Sequence, residues 1–258
     1  MSFIKEVEFV ARALGKKLLH LREKGPIDGE WIGTQLKTDA DMMAHQFLEN
    51  ELPKIKANIP VISEESDKGK GGDRPNLYWL IDPIDGTASF ANGFNGFTIQ
   101  ISLMDNLATT MAVVYAPAFD EMFTAELGGG AFCNNKALHV INKNSIESLI
   151  DNYPEPRGTA KYLCNELAIK NYIECGGIGL KICRIADKSA DLFAKTVTVR
   201  DWDIAAPELI LKEAGGVLLT SDGDEFIYNH SYEKNGVIAA SSELLTNQIV
   251  DLIKKINS

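Results

Sequence analysis

The sequence predicts a mixed α/β protein of two subdomains, and three patterns support that prediction. The N-terminal residues carry apolar side chains at three- and four-residue steps, which is typical of an amphipathic helix. Residues 97–115 alternate between apolar and polar side chains around a polar turn, which is typical of an antiparallel hairpin. From about residue 142, short apolar strands alternate with helical segments. We therefore expect an N-terminal subdomain at 1–141 and a C-terminal subdomain at 142–258, with a shared cleft between them.

The N-terminal subdomain is expected to begin with two helices. The apolar stripe of the first helix is Ile4, Val7, Ala11, Leu14 and Leu18. This helix should end near Gly25, and the Gly-containing residues 24–37 are expected to be irregular. Thr38 or Asp39 is the expected N-cap of the second helix, whose apolar stripe ends before Pro53. A strand is predicted at 121–126.

The later elements are predicted from turn residues and apolar runs. The glycines at 128–130 join one strand to the next and open no helix, so they predict a hairpin corner and not a nucleotide-binding loop. The predicted helices of the C-terminal subdomain are 158–170, 179–187, 203–214 and 244–256. Its predicted strands are 191–195, 217–220 and 236–240.

Composition excludes several classes of protein. The formal net charge is −10, from 36 acidic and 26 basic residues. A nucleic-acid duplex requires a basic surface, so we expect no duplex partner. The four cysteines have no C-x-x-C spacing, which is typical of reduced thiols in a cytoplasmic protein. No apolar run is long enough to cross a membrane, and the N-terminus lacks the pattern of a signal peptide.

The most informative stretch lies at the expected end of a buried strand. The apolar residues 78–81 predict the strand, and the Asp82-Pro83 dipeptide is expected to end it. Asp82 and Asp85 can both turn toward one point, with the carbonyl of Ile84 between them. Oxygen ligands of this kind suit Mg²⁺ or Mn²⁺. A structural turn is the alternative interpretation, because Asp-Pro and Asp-Gly are common turn dipeptides.

Neighbouring motifs favour the metal-site interpretation. A short apolar strand ends in the pair Glu64-Glu65, and paired carboxylates at a strand end need a cation or solvent between them. Asp203 lies at the start of an apolar helix. Gly86 allows the backbone to approach a ligand, and Thr87 offers a hydroxyl and an amide for a phosphate.

Together these motifs resemble those of the inositol monophosphatase superfamily of Mg²⁺-dependent, lithium-sensitive phosphatases. The signature sequences are present as WLIDPIDGTASF and WDIAAPELILKEAGG, preceded by SEES and by the segment that contains Asp41. The resemblance implies a layered α/β/α/β/α sandwich of the sugar-phosphatase type and a hydrolase that acts on a small phosphorylated metabolite. It also implies a homodimer.

The same resemblance implies roles for individual residues. The implied ligands of two or three Mg²⁺ ions, or of Mn²⁺, are Glu64, Asp82, Asp85, Asp203 and the Ile84 carbonyl. The ions would neutralise the phosphate and activate a water for direct attack. Glu64 and Thr87 would orient that water, and Asp41 would tune it. The residues implied to contact the substrate are Asp85, Gly86, Thr87 and Asp203.

The motifs are compatible with two classes of substrate. Several stretches, among them residues 60–65, 113–117 and 179–181, resemble the 3′(2′),5′-bisphosphate nucleotidase branch, which is the first expectation. Inositol-1-monophosphatase is the alternative, although Thr196 stands where inositol-specific members usually carry a glutamate. Lys24 and Lys37 have the wrong spacing to match the lysine of the early active-site loop, so neither is assigned that role.

Two further expectations concern a loop and an alternative function. The Lys- and Gly-rich segment 67–75 is expected to be a loop with at most a minor role over the metals. Some members of the superfamily associate with transcription machinery, so a regulatory partner-binding protein on the same scaffold is the alternative of another class. Retention of all four carboxylates argues for catalysis.

Overall fold

The computed structural model describes residues 2–33, 35–66, 74–141, 143–229 and 231–256. Most of the predicted 67–75 loop, from 67 to 73, therefore lies outside the described residues, as does His230. Within the described ranges, every helix is too short or too polar to span a membrane.

The described residues form seven helices and sixteen strands. The helices are α1 (Ile4–Glu23), α2 (Asp39–Ile55), α3 (Thr87–Ala91), α4 (Gly158–Glu166), α5 (Ile178–Ala186), α6 (Asp201–Glu213) and α7 (Glu243–Ile256). The first nine strands are β1 (Gly29–Ile32), β2 (Gln35–Thr38), β3 (Val61–Ser63), β4 (Leu77–Asp85), β5 (Thr98–Asp105), β6 (Ala108–Ala116), β7 (Glu121–Glu126), β8 (Gly130–Cys133) and β9 (Lys136–Leu138). The others are β10 (Ser148–Asp151), β11 (Asn171–Glu174), β12 (Leu192–Lys195), β13 (Val199–Arg200), β14 (Val217–Leu219), β15 (Glu233–Lys234) and β16 (Val237–Ala240).

These elements stack in five layers. Helices α1 and α2 cover one face of a seven-stranded sheet, and α5 and α6 lie between that sheet and a five-stranded sheet, whose far side is covered by α4 and α7. Along β4, Tyr78 and Leu80 belong to the core with α5 and α6, whereas Trp79 and Ile81 pack with α1 and α2. Both faces of β4 are thus buried, which explains its continuous apolar run. The expected layered α/β/α/β/α class is confirmed.

The large sheet has the order β3-β4-β5-β6-β7-β8-β9. Strand β3 pairs with β4 in parallel, and the later pairs are antiparallel. The predicted hairpin at 97–115 is confirmed as β5 and β6, joined at Asn106 and Leu107, which both have positive φ. Gly128, between β7 and β8, and Gly130, the first residue of β8, also have positive φ, so the predicted hairpin corner is confirmed.

The small sheet has the order β11-β10-β12-β16-β14 and mixes parallel with antiparallel pairs. The predicted helix at 158–170 ends early, at Glu166. Ala168 takes a φ of 52°, which stops the helix, and the chain then enters β11. Helix α6 begins at Asp201, two positions before the predicted start at Asp203, and a bond from the Arg200 amide to Asp203 closes its first turn.

The expectation that the strand before the acidic motif ends at Asp82 is wrong. Strand β4 continues through Pro83 to Asp85, and its register with β5 shifts between Asp82 and Asp85. Proline has no amide proton for the ladder, and a bulge accommodates that gap. In a regular strand two residues three apart point to opposite faces. The bulge removes that restriction for the two aspartates.

The expectation that residues 24–37 are irregular is also wrong. Strands β1 and β2 form a two-stranded antiparallel sheet in which Trp31 pairs with Leu36. All four residues of β1 are exposed, so the strand has no buried face to produce an alternating apolar pattern. Helix α2 has the predicted cap at Thr38, but it continues past Pro53 by two residues.

Candidate active site

Parallel pairing of β3 and β4 brings two candidate ligands together. Ser63 lies opposite Ile81, and the Glu64 amide donates to the Ile81 carbonyl at 3.3 Å. Glu64 follows Ser63, and Asp82 follows Ile81, so both carboxylates lie at the same end of this strand pair. The Ile84 amide donates to Asp82 Oδ1 at 3.1 Å, which fixes the turn of the backbone around this carboxylate.

Asp85 is held at the N-terminus of α5. Its Oδ1 accepts from the Ile178 amide at 2.9 Å, and its Oδ2 accepts from the Gly179 amide at 2.8 Å and the Thr98 hydroxyl at 2.9 Å. A helix N-terminus favours a negative charge. Burial nevertheless raises the pKa of Asp85, although these donors and the charge of Lys181 oppose the rise.

Asp203 reaches the same region from the first turn of α6. The Arg200 amide donates to its Oδ2 at 2.7 Å. Burial, followed by the negative charges of Glu64 and Asp85, raises the pKa of Asp203 well above its ordinary value. The pKa of Asp82 is raised by burial and by Glu64, Asp85 and Asp203. The fold therefore brings the four sequence-predicted carboxylates into one negatively charged cluster.

The cluster has the chemistry of a divalent-cation site. Its donors are carboxylate oxygens, and their mutual repulsion is the kind that a Mg²⁺ ion relieves. Within the described ranges, however, no three His, Cys, Asp or Glu side chains converge closely enough to hold an ion. Glu64 binds Lys37, and Asp85 binds the amides of α5. By the chemistry of their oxygen donors, the four carboxylates fit Mg²⁺.

Thr87 and Asp41 form a second part of the site. The Thr87 hydroxyl lies 3.0 Å from Asp41 Oδ1 and 3.1 Å from the Ile84 carbonyl oxygen, and its one proton can go to either. Asp41 Oδ2 also accepts from the Thr38 amide at 2.8 Å and the Thr38 hydroxyl at 2.7 Å. Asp41 thus completes the capping box of α2 with the N-cap Thr38 and is also the partner of Thr87.

Gly86 is required by its conformation. Its φ of 85° is left-handed, and an added Cβ would lie 3.0 Å from the Gly177 amide nitrogen. The residue joins β4 to the short helix α3, so the amides of Gly86 and Thr87 follow directly on the acidic turn. No larger residue takes this backbone path without moving the start of α5.

Lys37 is a site residue that the sequence analysis did not assign. Its Nζ lies 2.6 Å from Glu64 Oε1 and also contacts Glu65 Oε1. Burial alone lowers a lysine pKa, but the two carboxylates outweigh it and raise the pKa of Lys37. The available signal was charge complementarity with the Glu64-Glu65 pair. Spacing gave no help, because the contact depends on the unpredicted β1–β2 hairpin.

A cleft of about 1350 Å³ opens beside this cluster. Its walls come from the β1–β2 hairpin, the start of α2, the end of β3, and the segments around Trp202 and Tyr232. Lys37, Glu64 and Arg200 line it, whereas Asp82, Asp85 and Thr87 are not among its lining residues. We call the part that lines the cleft, with Lys37, Glu64 and Glu65, the cleft end of the site. The part behind it, with Asp82, Asp85 and Asp203, is the interior end.

Comparisons with known proteins identify the family of the chain. A model of the inositol monophosphatase family matches residues 4–258. Nus factor SuhB of Pasteurella multocida is 30% identical over 225 residues, which cover 84% of this chain and 82% of that protein. The 3′(2′),5′-bisphosphate nucleotidase CysQ of Aggregatibacter actinomycetemcomitans is 29% identical, with 74% of each covered. The solved IMPase of Thermotoga maritima superposes with a TM-score of 0.84 at 25% identity, covering 99% of this chain and 98% of that one.

The family match and the layered fold are those of a phosphatase that hydrolyses phosphate monoesters. The chain belongs to the inositol monophosphatase family. The resemblance found in the sequence is thereby confirmed for the family and for the class of reaction. Members of this family are generally metal-dependent, in agreement with the oxygen ligands that the cluster offers.

Proposed function

We propose that the protein is a Mg²⁺-dependent, lithium-sensitive phosphomonoesterase whose leading substrate is a 3′(2′),5′-bisphosphate nucleotide. The observation that carries the metal dependence is the convergence of Glu64, Asp82, Asp85 and Asp203 at one place in the fold. Burial and the neighbouring carboxylates raise the pKa of Asp82 and Asp203, so their ionised forms are unfavourable there unless a cation is bound. Glu64, Asp82, Asp85, Asp203 and the Ile84 carbonyl would hold the ions.

Each polar group of the site has a task in this proposal. Bound there, Mg²⁺ would supply charge for the phosphate oxygens and acidity for a water. In this proposal the Thr87 proton goes to Asp41 and not to the Ile84 carbonyl, so the lone pairs of the hydroxyl stay available to orient the attacking water. Glu64, once released by Lys37, accepts a hydrogen bond from the same water. The amides of Gly86 and Thr87 face the phosphate, and Asp85 and Asp203 border it.

The cleft supports a nucleotide by its size, and two positive side chains line it. A volume of about 1350 Å³ exceeds what a single phosphorylated sugar fills. Lys37 and Arg200 line its wall, and a second phosphate would have to compete there with Glu64 and Glu65 for Lys37 and with Glu233 for Arg200. Lys181, part of the stretch that resembles the nucleotidase branch, does not support a second phosphate, because it is fully buried and contacts Asn152.

One observation favours the second candidate, inositol 1-phosphate. Several carboxylates line the cleft, namely Asp28, Glu30, Asp39, Glu64, Glu65 and Glu233. Carboxylates accept hydrogen bonds from the hydroxyls of a polyol, and they repel a second phosphate. Thr196, which stands at the position of the inositol-specific glutamate, is exposed and bonds to Thr159 at 3.0 Å.

A phosphate-release panel tests the proposal. Wild-type protein with Mg²⁺ is assayed on adenosine 3′,5′-bisphosphate, inositol 1-phosphate, fructose 1,6-bisphosphate and histidinol phosphate, with EDTA as the control. We expect metal-dependent release, highest on the nucleotide. A higher kcat/KM on inositol 1-phosphate transfers the assignment to the polyol. Absence of release from all four with Mg²⁺ or Mn²⁺ overturns the proposal.

Inhibition by Li⁺ tests whether the site holds more than one metal ion and whether one of them exchanges readily. Li⁺ is close to Mg²⁺ in size but carries one charge, so we expect it to replace a weakly held ion after turnover and to slow phosphate release. Initial rates at several LiCl concentrations, with NaCl as the ionic-strength control, should show uncompetitive inhibition. Purely competitive inhibition would contradict an exchangeable ion.

A regulatory partner-binding role is the remaining candidate. Its support is the relative named Nus factor SuhB. Against it stands the retention of all four carboxylates, which partner binding alone does not need. Activity in the panel would favour catalysis. The homodimer and the cytoplasmic location stay predictions.

A further inference from the structure

A buried ion pair lies beside the candidate site, between residues from distant parts of the chain. The Arg74 guanidinium is 2.5 Å from Asp201 Oδ2. The side chain of Arg74 is 2% exposed and that of Asp201 is 0% exposed. Arg74 precedes β4, and Asp201 is the first residue of α6. The proposed function gives neither residue a task.

Arg74 is fixed by further contacts on several sides. Its guanidinium lies 3.9 Å from the centroid of the Tyr232 ring. One nitrogen donates to the Tyr78 hydroxyl at 3.2 Å, and another donates to the Ser231 carbonyl at 3.0 Å. The planar guanidinium makes these contacts together, which a lysine ammonium cannot reproduce.

Two of the partners of Arg74, Tyr78 and Asp201, belong to the two elements that carry most of the candidate metal ligands. Tyr78 is on β4, as are Asp82 and Asp85. Asp201 begins α6, whose first turn contains Asp203. Arg74 therefore connects the strand with two of the ligands to the helix with a third.

The Asp201 end of the connection is equally constrained. Its backbone amide donates to the Tyr232 carbonyl at 2.9 Å, and the Lys234 Nζ lies 3.2 Å from its Oδ1. The next turn bond runs from the Arg200 amide to Asp203. A displacement of Asp201 consequently displaces Arg200 and Asp203 with it.

Energetics favour a geometric task for this pair. Removing two charges from water costs about as much as their attraction returns, so a buried pair adds little net stability compared with apolar residues of the same volume. What the pair does provide is a fixed distance and direction. Residues behind a metal ligand affect metal affinity by orienting that ligand.

We propose that Arg74 is a positioning residue that sets Asp203 against Asp82 and Asp85 by bridging α6 to β4. The inference rests on the proposed function, in which these three carboxylates share metal ions. Loss of the bridge leaves the ligands present but lets the start of α6 shift relative to the strand.

Arg184 supplies a matched control. It also joins distant elements, because it extends from α5 to Glu121 of β7 at 2.5 Å and to Asp187 at 2.8 Å. Its side chain is 16% exposed, and it lies in the last turn of α5, where its partners Glu121 and Asp187 line a separate cavity, whereas Asp85 is held at the other end of that helix. Arg184→Gln thus removes a comparable bridge away from the site.

The experiment measures metal binding directly, by titration calorimetry with Mn²⁺ and Mg²⁺ on the full chain. We expect Arg74→Gln to weaken binding about 10- to 100-fold, and Arg74→Lys to recover only part of the loss. We expect Arg184→Gln to lower Tm while metal affinity stays at the wild-type value. The Mg²⁺ concentration for half-maximal phosphate release should move in parallel with the binding constants.

The outcomes are distinguishable. Wild-type affinity in Arg74→Gln, or an equal loss in Arg184→Gln, overturns the positioning role and leaves the proposed function intact. If the wild-type protein binds neither Mn²⁺ nor Mg²⁺, both the positioning role of Arg74 and the proposed function are overturned. If Arg74→Gln does not fold, Tyr78→Phe decides, since it removes one hydrogen bond of the bridge; we expect its metal binding to weaken about threefold, and unchanged binding there overturns the inference.

Discussion

The cleft end and the interior end of the candidate site balance their negative charge in different ways. At the cleft end Glu64 and Glu65 share the ammonium of Lys37, whose side chain is 22% exposed. At the interior end Asp85 is held by backbone amides, and the pKa values of Asp82 and Asp203 are raised. A side chain can swing away from its partner, but an amide in a helix turn cannot. The cleft end is therefore suited to exchange, and the interior end to fixed geometry.

The largest effect is expected at the interior end, from Asp85→Asn. The change removes a ligand charge and also an acceptor for the amides of Ile178 and Gly179, so we expect turnover to be lost and Tm to fall. Phosphate release and a thermal melt measure the two effects. Thr98→Val is the control, because it removes one hydrogen bond to Asp85 and keeps the charge. Turnover close to wild type in Asp85→Asn at saturating Mg²⁺ would show that Asp85 is only a structural cap.

The second prediction concerns Thr87, at the junction of the two ends. Thr87→Ala removes the hydroxyl that contacts Asp41 and the Ile84 carbonyl, so we expect kcat to fall about 100-fold with little change in KM. Thr87→Ser keeps the hydroxyl and should recover most of the rate. Steady-state kinetics decide between roles, since a raised KM at constant kcat would make Thr87 a binding residue.

The third prediction concerns Lys181, which lies behind the interior end and differs from Lys37 in its charge balance. Burial and the charge of Lys195 lower the pKa of Lys181 to about 8, so its charged form destabilises the folded state. This penalty is fully present below pH 8 and disappears as the pH rises toward the ordinary lysine pKa. We expect Lys181→Met to raise the free energy of unfolding by about 1–2 kcal/mol at pH 7, and by less at pH 9.5.

Urea unfolding of wild type and Lys181→Met at both pH values provides the measurement. The control is Lys143→Met, because the side chain of Lys143 is 36% exposed and a hydrogen bond to Asp191 raises its pKa. If the gain in the free energy of unfolding of Lys181→Met grew as the pH rose, the prediction would be wrong. The charged form of Lys181 would then not destabilise the folded state.

The smallest effect is expected at the cleft end. Lys37 occupies the Glu64 oxygen that an ion would need, so Lys37→Met should lower the Mg²⁺ concentration for half-maximal activity by about threefold to tenfold. Lys37→Arg keeps the charge and should change it little. Titration of activity with Mg²⁺ measures the shift. A higher Mg²⁺ requirement in Lys37→Met would mean that Lys37 orients Glu64 and does not compete with the ion.

The sequence predicted those parts of the site that depend on local order along the chain. Asp82 and Asp85 follow a buried apolar strand, and Asp203 opens an apolar helix, so pattern and resemblance found them. Lys37 and Arg74 were not found, because their contacts join segments that only the tertiary fold brings together. The course of β4 through Pro83 was missed for a related reason, since a bulge depends on the partner strand. The sequence pattern did not predict the β1–β2 hairpin, because β1 has no buried face and therefore no alternation of apolar and polar residues.

The strand order of the large sheet carries a consequence for how the protein is made. Strands β4 to β9 lie beside their neighbours in chain order, so each pairing closes a short loop and can form early. Almost half of the chain separates Asp203 from Asp85 in the sequence. Asp203 can therefore join Asp82 and Asp85 only after that segment has been synthesised. Pulse-labelled hydrogen exchange should therefore protect β5 and β6 before α6. A ribosome-bound chain can therefore contain every strand of the large sheet while it still lacks the last carboxylate, and the candidate site is incomplete until synthesis has passed that residue.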